Sequence, residues 1–258
     1  MTAKKKRTAA SATPVKKKGL RKKTSGSTGG LSFERPLTSV DLNIFAVRDN
    51  ELCALLVQRP DTESEPFPDH PSLPGGFVDT EHDADLLDCA KRKLKEKTGV
   101  EAHYLEQVGS WGDAVRDPRG WSTTHVYFAL IPYTESIELA KNSRWHSVDE
   151  VIGNYTMAFD HKHLLIAALD RLRSKVEYTS LPAYLLEAPF TLPQLQQAYE
   201  VILDRKLDKS SFRTRTLSAD YLEETGLMKV EAPRPAMGYR LRAGQSLVFF
   251  PRPLKGDN

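Results

Sequence analysis

The sequence predicts a mixed α/β protein in which an α/β/α sandwich is followed by a C-terminal winged helix-turn-helix domain. Three observations lead to this fold class. Apolar runs with strand periodicity alternate with helical patterns as far as residue 175. The residues beyond that point have the order helix, turn, helix and β-hairpin. The first 33 residues are basic and almost free of large apolar side chains. We therefore expect a disordered basic tail over residues 1–33, the sandwich over 36–175 and the winged helix domain over 176–258.

The predicted tail is opposite in charge to the rest of the chain. Ten lysines and arginines precede the first acidic residue, Glu34, and the whole chain has a formal net charge of +3, so the remainder carries −7. A segment of this composition cannot bury enough apolar surface to fold on its own. Basic arms bind nucleic acid without sequence preference because they release counterions from the phosphates. A solubilising extension explains the tail equally well.

Composition also excludes several classes of protein. No apolar run approaches the roughly 20 residues that span a bilayer, and the basic start lacks the apolar region of a secretory signal. The two cysteines, Cys53 and Cys89, lie inside apolar patterns and are expected in the core, which implies neither a disulfide framework nor a zinc site. We therefore expect a cytoplasmic protein with no membrane contact.

Strands of the sandwich are predicted where apolar residues cluster between turn signals. Two apolar runs flank the turn residues Asp49 and Asn50 and predict a β-hairpin. The loop over 60–74 is rich in proline and acidic residues and has no periodicity. Further strands are predicted at 103–108 and 125–131.

Three helices of the sandwich are predicted from their caps and apolar stripes. The first ends at Gly99, and its apolar stripe is expected to comprise Leu86, Leu87, Ala90 and Leu94. Ser147 and Glu150 have capping-box spacing for a short second helix. Asp160 is predicted to cap a longer third helix, with His161 beside it on the surface. A catalytic pair of His161 and Asp160 is the alternative. The buried side of that helix is expected to contain Leu164, Leu165, Ala168 and Leu172.

The C-terminal domain follows the plan of a winged helix. Thr191 is predicted to cap a helix over 192–203, and a turn leads to a second helix over 209–218. A third short helical segment is predicted over 219–225, followed by two strands, LMKVE and YRLRAG, that form the wing.

In winged helix domains the second helix enters the major groove and the wing contacts the DNA backbone or the minor groove. The residues expected to contact DNA are Lys209, Ser210, Ser211, Arg213, Thr214 and Arg215 on or near the helix, and Arg234, Arg240 and Arg242 on the wing. A small helical domain with scattered surface arginines is the alternative interpretation.

The stretch from Gly75 to Val100 resembles a Nudix box, in which a glycine loop leads into a helix whose glutamates bind Mg²⁺ against a pyrophosphate. The residues of the frame that are present are Gly75, Gly76, Arg92, Leu94, Glu96, Gly99 and Val100. This resemblance implies that the α/β/α sandwich is a Nudix domain.

The metal-binding positions of the box are largely replaced. The three helical positions read Lys93, Glu96 and Lys97, and their i, i+3, i+4 spacing places them on one helical face. Because Mg²⁺ needs convergent carboxylate oxygens, we expect no metal, no cofactor and no catalytic residues here. The loop is two residues longer than the pattern, and Ala84 occupies the early glutamate position. A charged helix with a solvated face is the simpler alternative. Carboxylates that can substitute from elsewhere are Asp79, Glu81, Asp83 and Asp113.

The remaining groups predict recognition of a nucleotide without turnover. Backbone N–H groups of the glycine loop, a guanidinium and lysines can hold a pyrophosphate without Mg²⁺. Trp121 is expected either to stack on adenine or ribose, or to serve in packing or in an interface. The predicted effector-binding residues are Arg59, Gly75, Gly76, Phe77, Lys93, Glu96, Lys97 and Trp121.

Motifs in both domains, in order, resemble the NrtR family of Nudix-related transcriptional regulators of NAD metabolism. The resemblance covers residues 36–245 and is carried by LLVQR (55–59), LPGGFVD (73–79), KRKLKEKTG (91–99), DPRGWS (117–122), AFDH (158–161), APFTLPQLQ (188–196) and SFRTR (211–215). It implies a homodimeric repressor of NAD-biosynthesis or NAD-salvage genes. The implied partners are a palindromic double-stranded DNA operator and, as effector, ADP-ribose or a related nucleotide.

Three functions compete on the sequence alone. The first is the ligand-responsive DNA-binding regulator. The second is a hydrolase of ADP-ribose or another nucleoside diphosphate derivative, with the C-terminal domain serving dimerisation. The third is an interaction module that uses neither activity. The lysines at positions 93 and 97 favour the regulator over the hydrolase.

Overall fold

A computed structural model describes residues 35–99, 101–135, 137–229, 235–244 and 246–254. The predicted tail over 1–33 and the wing residue Arg234 lie outside the described residues. The strands are β1 Leu37–Arg48, β2 Glu51–Gln58, β3 Pro71–Ser72, β4 Gly75–Phe77, β5 Tyr104–Asp113, β6 Ser122–Leu130, β7 Ser143–Ser147, β8 Leu222–Met228 and β9 Ala236–Leu241. The α-helices are α1 Leu86–Thr98, α2 Val148–Asn154, α3 His161–Val176, α4 Leu192–Leu203 and α5 Lys209–Ser218.

The centre of the sandwich is a mixed sheet with the strand order β3-β2-β1-β6-β5. Strand β1 pairs antiparallel with β2 and parallel with β6. The predicted hairpin is confirmed, and its turn residues Asp49 and Asn50 have φ values of 50° and 65°, as a two-residue hairpin turn requires. Strand β4, which contains the glycine loop, pairs with the beginning of β1, while β7 pairs with β2.

Helices cover both faces of this sheet, which confirms the predicted sandwich. Alternate residues of β1 pack on opposite sides, so that Val40, Leu42 and Ile44 contact the α1 side and Phe45 belongs to the core shared with α3. The predicted buried side of α3 is confirmed: Leu164, Leu165, Ala168 and Leu172 are all fully buried. Both cysteines are buried in the core, as expected.

The stripe predicted for α1 needs one correction. Ala90 and Leu94 are buried and Leu86 packs against the same core, but Leu87 is exposed. Successive helical residues are rotated by about 100°, so Leu87 lies at the edge of the stripe that faces the sheet. Gly99 ends the helix with a φ of 70°, as predicted.

Two predicted helix caps are absent. Neither Ser147 before α2 nor Asp160 before α3 makes a side-chain hydrogen bond to its helix. The carboxylate of Asp160 accepts two hydrogen bonds from Arg116 instead. In contrast, Thr191 caps α4 in a complete capping box with Gln194.

The winged helix domain has two predicted helices and a hairpin, but the third helical segment predicted over 219–225 is wrong. Strand β8 occupies most of it and pairs antiparallel with β9. The helix-favouring residues Glu223 and Glu224 are drawn into the strand because cross-strand pairing outweighs local propensity. Gly226, the residue directly after the predicted segment, lies at the register shift of this hairpin with a φ of 103°. The strand predicted as LMKVE therefore begins earlier, at Leu222.

The winged helix domain continues the core of the sandwich, since α4 and α5 contribute Leu195, Ile202 and Phe212 to the cluster that also contains Phe45. Residues 248–254, which we call the C-terminal strap, run along the connection that follows α3. Backbone bonds join Phe250 N–H to the Tyr178 carbonyl at 2.7 Å and Leu254 N–H to the Glu177 carbonyl at 2.9 Å. No helix in the described ranges is long and apolar enough to cross a membrane.

Candidate functional site

A cavity of about 330 Å³ opens at the glycine loop of the sandwich. Five of the predicted effector-binding residues line it: Arg59, Gly75, Gly76, Phe77 and Lys97. The lining also contains residues that were not predicted, notably Asp41, Arg116, Asp117, Arg119, Phe159 and His161. The cavity therefore combines backbone amides, cations, carboxylates and aromatic rings, which is the donor set that a charged nucleotide needs.

Gly75 is required by close approach of two strands. It pairs with Asp41 of β1, and a Cβ atom at this position would lie 2.4 Å from both the Val40 carbonyl oxygen and Asp41 Oδ1. Any side chain here would displace the β1 backbone and the carboxylate of Asp41. The glycine thus keeps β4 against β1 at the wall of the cavity.

Arginines and aromatic rings alternate at the cavity. The Arg59 guanidinium carbon lies 4.9 Å from the Phe159 ring centroid. That of Arg119 lies 5.9 Å from the Phe159 centroid and 5.0 Å from the Phe77 centroid. Planar guanidinium groups and rings can exchange one stacking partner for another, and a nucleobase offers such a planar surface.

Each of these arginines already has a carboxylate partner. Arg59 donates to Glu65 at 2.7 Å, and Arg119 forms hydrogen bonds to both carboxylate oxygens of Asp117. The hydrogen bonds that Arg119 donates to Asp117 raise the pKa of Arg119 despite its burial. An anionic ligand at Arg59 must therefore share it with, or take it from, Glu65.

Arg116 forms the charged floor of the cavity. Its side chain is 5% exposed and donates to both carboxylate oxygens of Asp160, at 2.8 and 3.1 Å. The carboxylate of Asp41 lies 3.7 Å from the same guanidinium and accepts a hydrogen bond from Thr124 at 2.7 Å. This buried group ties β1, the loop after β5 and the start of α3 together.

The structure corrects the prediction of a surface histidine at 161. His161 is buried, and its Nδ1 accepts a hydrogen bond from the Leu73 N–H at 2.9 Å. Burial lowers the pKa of His161, against the opposing charges of Asp41 and Asp160. A neutral ring that accepts at Nδ1 carries its proton on Nε2, and this atom lies 3.7 Å from Asp41 Oδ1.

Three predicted effector-binding residues lie outside the cavity lining: Lys93, Glu96 and Trp121. Lys93 and Arg92 donate to the two carboxylate oxygens of Glu96, at 3.0 and 2.9 Å. Burial works against ionisation of Glu96, but these hydrogen bonds outweigh it and lower its pKa. The Trp121 side chain is 52% exposed.

Three of the four carboxylates considered as substitutes for the missing glutamates are also engaged elsewhere. The lengthened loop brings Asp83 to Arg92, which donates to both of its oxygens. Asp79 pairs with His82, and Asp113 accepts from two backbone N–H groups of its own turn. None of these carboxylates lines the cavity.

Helix α5 presents the predicted DNA-contacting residues Lys209, Ser210, Ser211, Arg213 and Thr214 to solvent. Its opposite face buries Phe212 and Thr216 against the domain core. Asp208 caps the helix through a hydrogen bond from the Ser211 N–H at 2.7 Å. Apart from Leu217, the exposed face is therefore polar and basic, as a helix that enters the major groove requires.

Arg215 does not share this exposed face. Its guanidinium donates to the Glu177 carbonyl at 3.1 Å and lies 4.2 Å from the Phe250 ring centroid. The i, i+3, i+4 spacing of Phe212, Arg215 and Thr216 places all three on the inner side of α5. The sequence analysis placed Arg215 with Arg213 among the DNA-contacting residues, but the structure places it on the inner side of α5. Helical periodicity around the buried Phe212 could have indicated this position.

The wing arginines are held in ion pairs at the base of the hairpin. Arg240 contacts Glu223 across the two strands, and Arg242 contacts Asp220 at 2.6 Å. Both arginine side chains remain at least 44% exposed, so these pairs are screened by solvent and contribute little to stability. They can be exchanged for phosphate.

Comparison with known proteins finds a matching family for each of the two domains. Models of the NUDIX domain and of the NrtR DNA-binding winged helix domain match residues 38–168 and 182–241. The "ADPR responsive transcriptional repressor NtrR" of Acinetobacter baylyi is 44% identical over 226 residues, which cover 86% of this chain and 89% of that protein.

Solved structures match a similar share of this chain. Shewanella oneidensis NrtR complexed with a 27mer DNA shares 38% identity with a TM-score of 0.77, covering 84% of this chain and 99% of that one. A MutT/nudix family protein from Enterococcus faecalis shares 25% identity with a TM-score of 0.65, covering 83% and 90% of the two chains.

Proposed function

The chain belongs to the NrtR family, and from this premise we propose that it is an ADP-ribose-responsive transcriptional repressor that controls genes of pyridine-nucleotide metabolism. One observation carries the proposal. A Nudix domain and an NrtR winged helix domain occur in one chain, which aligns with a named ADPR-responsive repressor along 89% of that protein. The winged helix domain binds operator DNA, and the cavity of the sandwich binds the effector.

The cavity suits the parts of ADP-ribose. The rings of Phe77 and Phe159 and the adjacent guanidinium groups offer stacking surfaces for adenine. Backbone N–H groups of the glycine loop and the ammonium of Lys97 suit the pyrophosphate. Carboxylates such as Asp41 accept hydrogen bonds from ribose hydroxyls. ADP-ribose is what remains of NAD once nicotinamide is removed, so a protein that binds it senses NAD turnover.

The same geometry favours sensing over hydrolysis. Metal-assisted attack on a pyrophosphate needs carboxylates that converge on a cation. Here Lys93 and Lys97 stand at two of the three helical positions, and the third, Glu96, is already bound to two cationic side chains. We propose that the Nudix domain binds its nucleotide without Mg²⁺ and releases it unchanged.

Purified protein incubated with ADP-ribose and Mg²⁺ or Mn²⁺ is therefore expected to leave the nucleotide intact. Chromatography for AMP and ribose 5-phosphate is the measurement. Steady release of AMP that disappears in Glu96→Gln would show that the chain is a hydrolase. Release that persists unchanged in that variant would instead point to a contaminating enzyme.

We further propose that the protein acts in the cytoplasm as a homodimer. Winged helices of a dimer read two half-sites about one helical turn, or a multiple, apart. An effector that changes the separation or tilt of the two α5 helices removes this match without any contact to DNA. Effector release of the repressor follows from that geometry.

ADP-ribose titrated into the protein–operator complex tests the proposed function. With an operator obtained by in vitro selection, saturating ADP-ribose is expected to weaken binding by a factor of about 5 to 150, the usual range of allosteric coupling. Fluorescence anisotropy of labelled operator gives both dissociation constants.

The controls separate effector recognition from general effects. Arg59→Ala is expected to reduce the response, because it removes a cation and a stacking partner at the cavity, whereas Arg144→Ala, which removes an exposed arginine of β7, should leave it unchanged. If neither ADP-ribose nor a panel of pyridine and sugar nucleotides alters operator affinity, the protein is not a nucleotide sensor.

A further inference from the structure

We propose that Arg215 is a positioning residue that transmits the state of the nucleotide cavity to the DNA-contacting helix α5. The inference rests on the proposed function, because it assigns a role in the response to effector. It departs from the expectation that Arg215, as part of the basic segment of α5, contacts DNA directly.

Arg215 makes contacts that connect α5 to the residue after α3 and to the C-terminal strap. Its guanidinium donates to the Glu177 carbonyl at 3.1 Å and stacks 4.2 Å above the Phe250 ring. Its Nε is buried without a hydrogen-bond partner. Within the described part of the chain, no carboxylate lies within ion-pair distance of Arg215. The planar guanidinium donates a directed hydrogen bond to the carbonyl and stacks on the ring at the same time. Few other side chains can make both contacts.

Glu177, whose carbonyl accepts the hydrogen bond from Arg215, connects four parts of the molecule. It is the first residue beyond α3. Its carbonyl accepts hydrogen bonds from Arg215 of α5 and, at 2.9 Å, from the Leu254 N–H of the C-terminal strap. Its carboxylate accepts from Arg205, which follows α4, at 3.1 Å. Any displacement of the end of α3 is therefore applied to α5 through Arg215.

The other end of α3 forms part of the cavity. The helix begins at His161, which lines the cavity, directly after Asp160, which holds Arg116. Its 16 residues give a rigid rod of about 24 Å. A ligand that contacts Arg116 or His161 changes the forces on the first turn of α3. Packed helices respond to such changes by small rigid shifts, and the shift reaches Glu177 at the far end.

The contact between the two domains leaves room for such a shift. On another side of the junction, a cleft of about 540 Å³ separates the β1–β2 turn and the start of α2 from the end of α4. Polar contacts cross it, among them Gln197 with Asn50 and Arg173 with the Ile202 carbonyl. A small shift therefore strains only polar contacts at this cleft, while the apolar core that the two domains share stays packed.

The test compares operator affinity with and without saturating ADP-ribose in Arg215→Met and Arg213→Ala. For Arg215→Met we expect operator affinity without ligand to stay within about threefold of wild type, and its salt dependence to be unchanged. The ratio of the two dissociation constants should fall from the wild-type value, about 5 to 150, toward 1. Arg213→Ala should show the opposite pattern, with weaker operator binding and a preserved ratio.

Further variants keep the test decisive. Arg215→Lys retains a donor for the Glu177 carbonyl and should restore part of the ratio. If Arg215→Met does not fold, Phe250→Leu, which leaves the arginine in place but removes its ring partner, should show the same loss of ratio. A preserved ratio with weaker operator binding and a flatter salt dependence in Arg215→Met would mean that Arg215 contacts DNA, and an unchanged protein would exclude any role. If wild type itself shows no response to ADP-ribose, the proposed function fails instead.

Discussion

Replacement of Arg116 by methionine is expected to lower the free energy of unfolding by about 3 kcal/mol. The side chain is buried and forms two hydrogen bonds to Asp160, with Asp41 beside it. Methionine fills similar space but leaves both carboxylates without their cation. The figure is at the lower end of what buried ion pairs show, because the Asp160 side chain is 24% exposed. Urea denaturation followed by circular dichroism measures the change.

Two variants control this measurement. Lys91→Met removes an exposed cation 3.9 Å from Asp88 and should cost less than about 1 kcal/mol. The double variant Arg116→Met, Asp160→Asn should recover part of the loss, because one unpaired charge is then removed as well. Equal losses in the free energy of unfolding for Arg116→Met and Lys91→Met would mean that the floor of the cavity is hydrated. Arg116 would then stabilise the fold no more than an exposed cation does.

Replacement of Arg213 by alanine is expected to weaken operator binding by about 1 to 3 kcal/mol, the usual contribution of a bidentate contact between arginine and guanine. Arg213 is exposed on the outer face of α5, next to Lys209 and Thr214. On a scrambled duplex the loss should be much smaller, because phosphate contacts carry no sequence information. Electrophoretic mobility shifts on both duplexes at two salt concentrations give the comparison.

Arg144→Ala, which removes the same charge from an exposed site on β7, is the matched control and should leave both affinities unchanged. Equal losses on operator and scrambled DNA for Arg213→Ala would show that Arg213 only contacts the backbone. Sequence readout would then have to come from other residues of α5 or from the wing.

The fold could be predicted in large part because local signals and tertiary structure agree. The β1–β2 hairpin, α4 with its Thr191 cap, and α5 all follow from turn, cap and periodicity rules. The segment after α5 could not be predicted in this way. Its glutamates favour a helix, and pairing with β9 determines its structure, with Glu223 paired to Arg240 and Glu224 to Tyr239.

The cavity was predictable along the glycine loop and at Arg59 and Lys97, where the sequence matches known motifs. Asp41, Arg116 and His161 come from three distant segments and meet only in the folded chain. Asp41 could have been predicted as a site residue, since it interrupts the apolar run of β1. The neighbouring sequence does not indicate which residues it contacts. Conversely, Lys93 and Glu96 belong to the motif and form an ion pair with each other, and neither lines the cavity.

The internal pairing of the cavity arginines bears on how the protein behaves as ionic conditions in the cell change. Arg59, Arg116 and Arg119 each have a carboxylate partner, so the cavity has little net charge for mobile ions to screen. DNA binding, by contrast, depends on displaced counterions and varies steeply with salt. Osmotic or ionic stress is therefore expected to act mainly on operator affinity, while the affinity of the DNA-free protein for its nucleotide changes less.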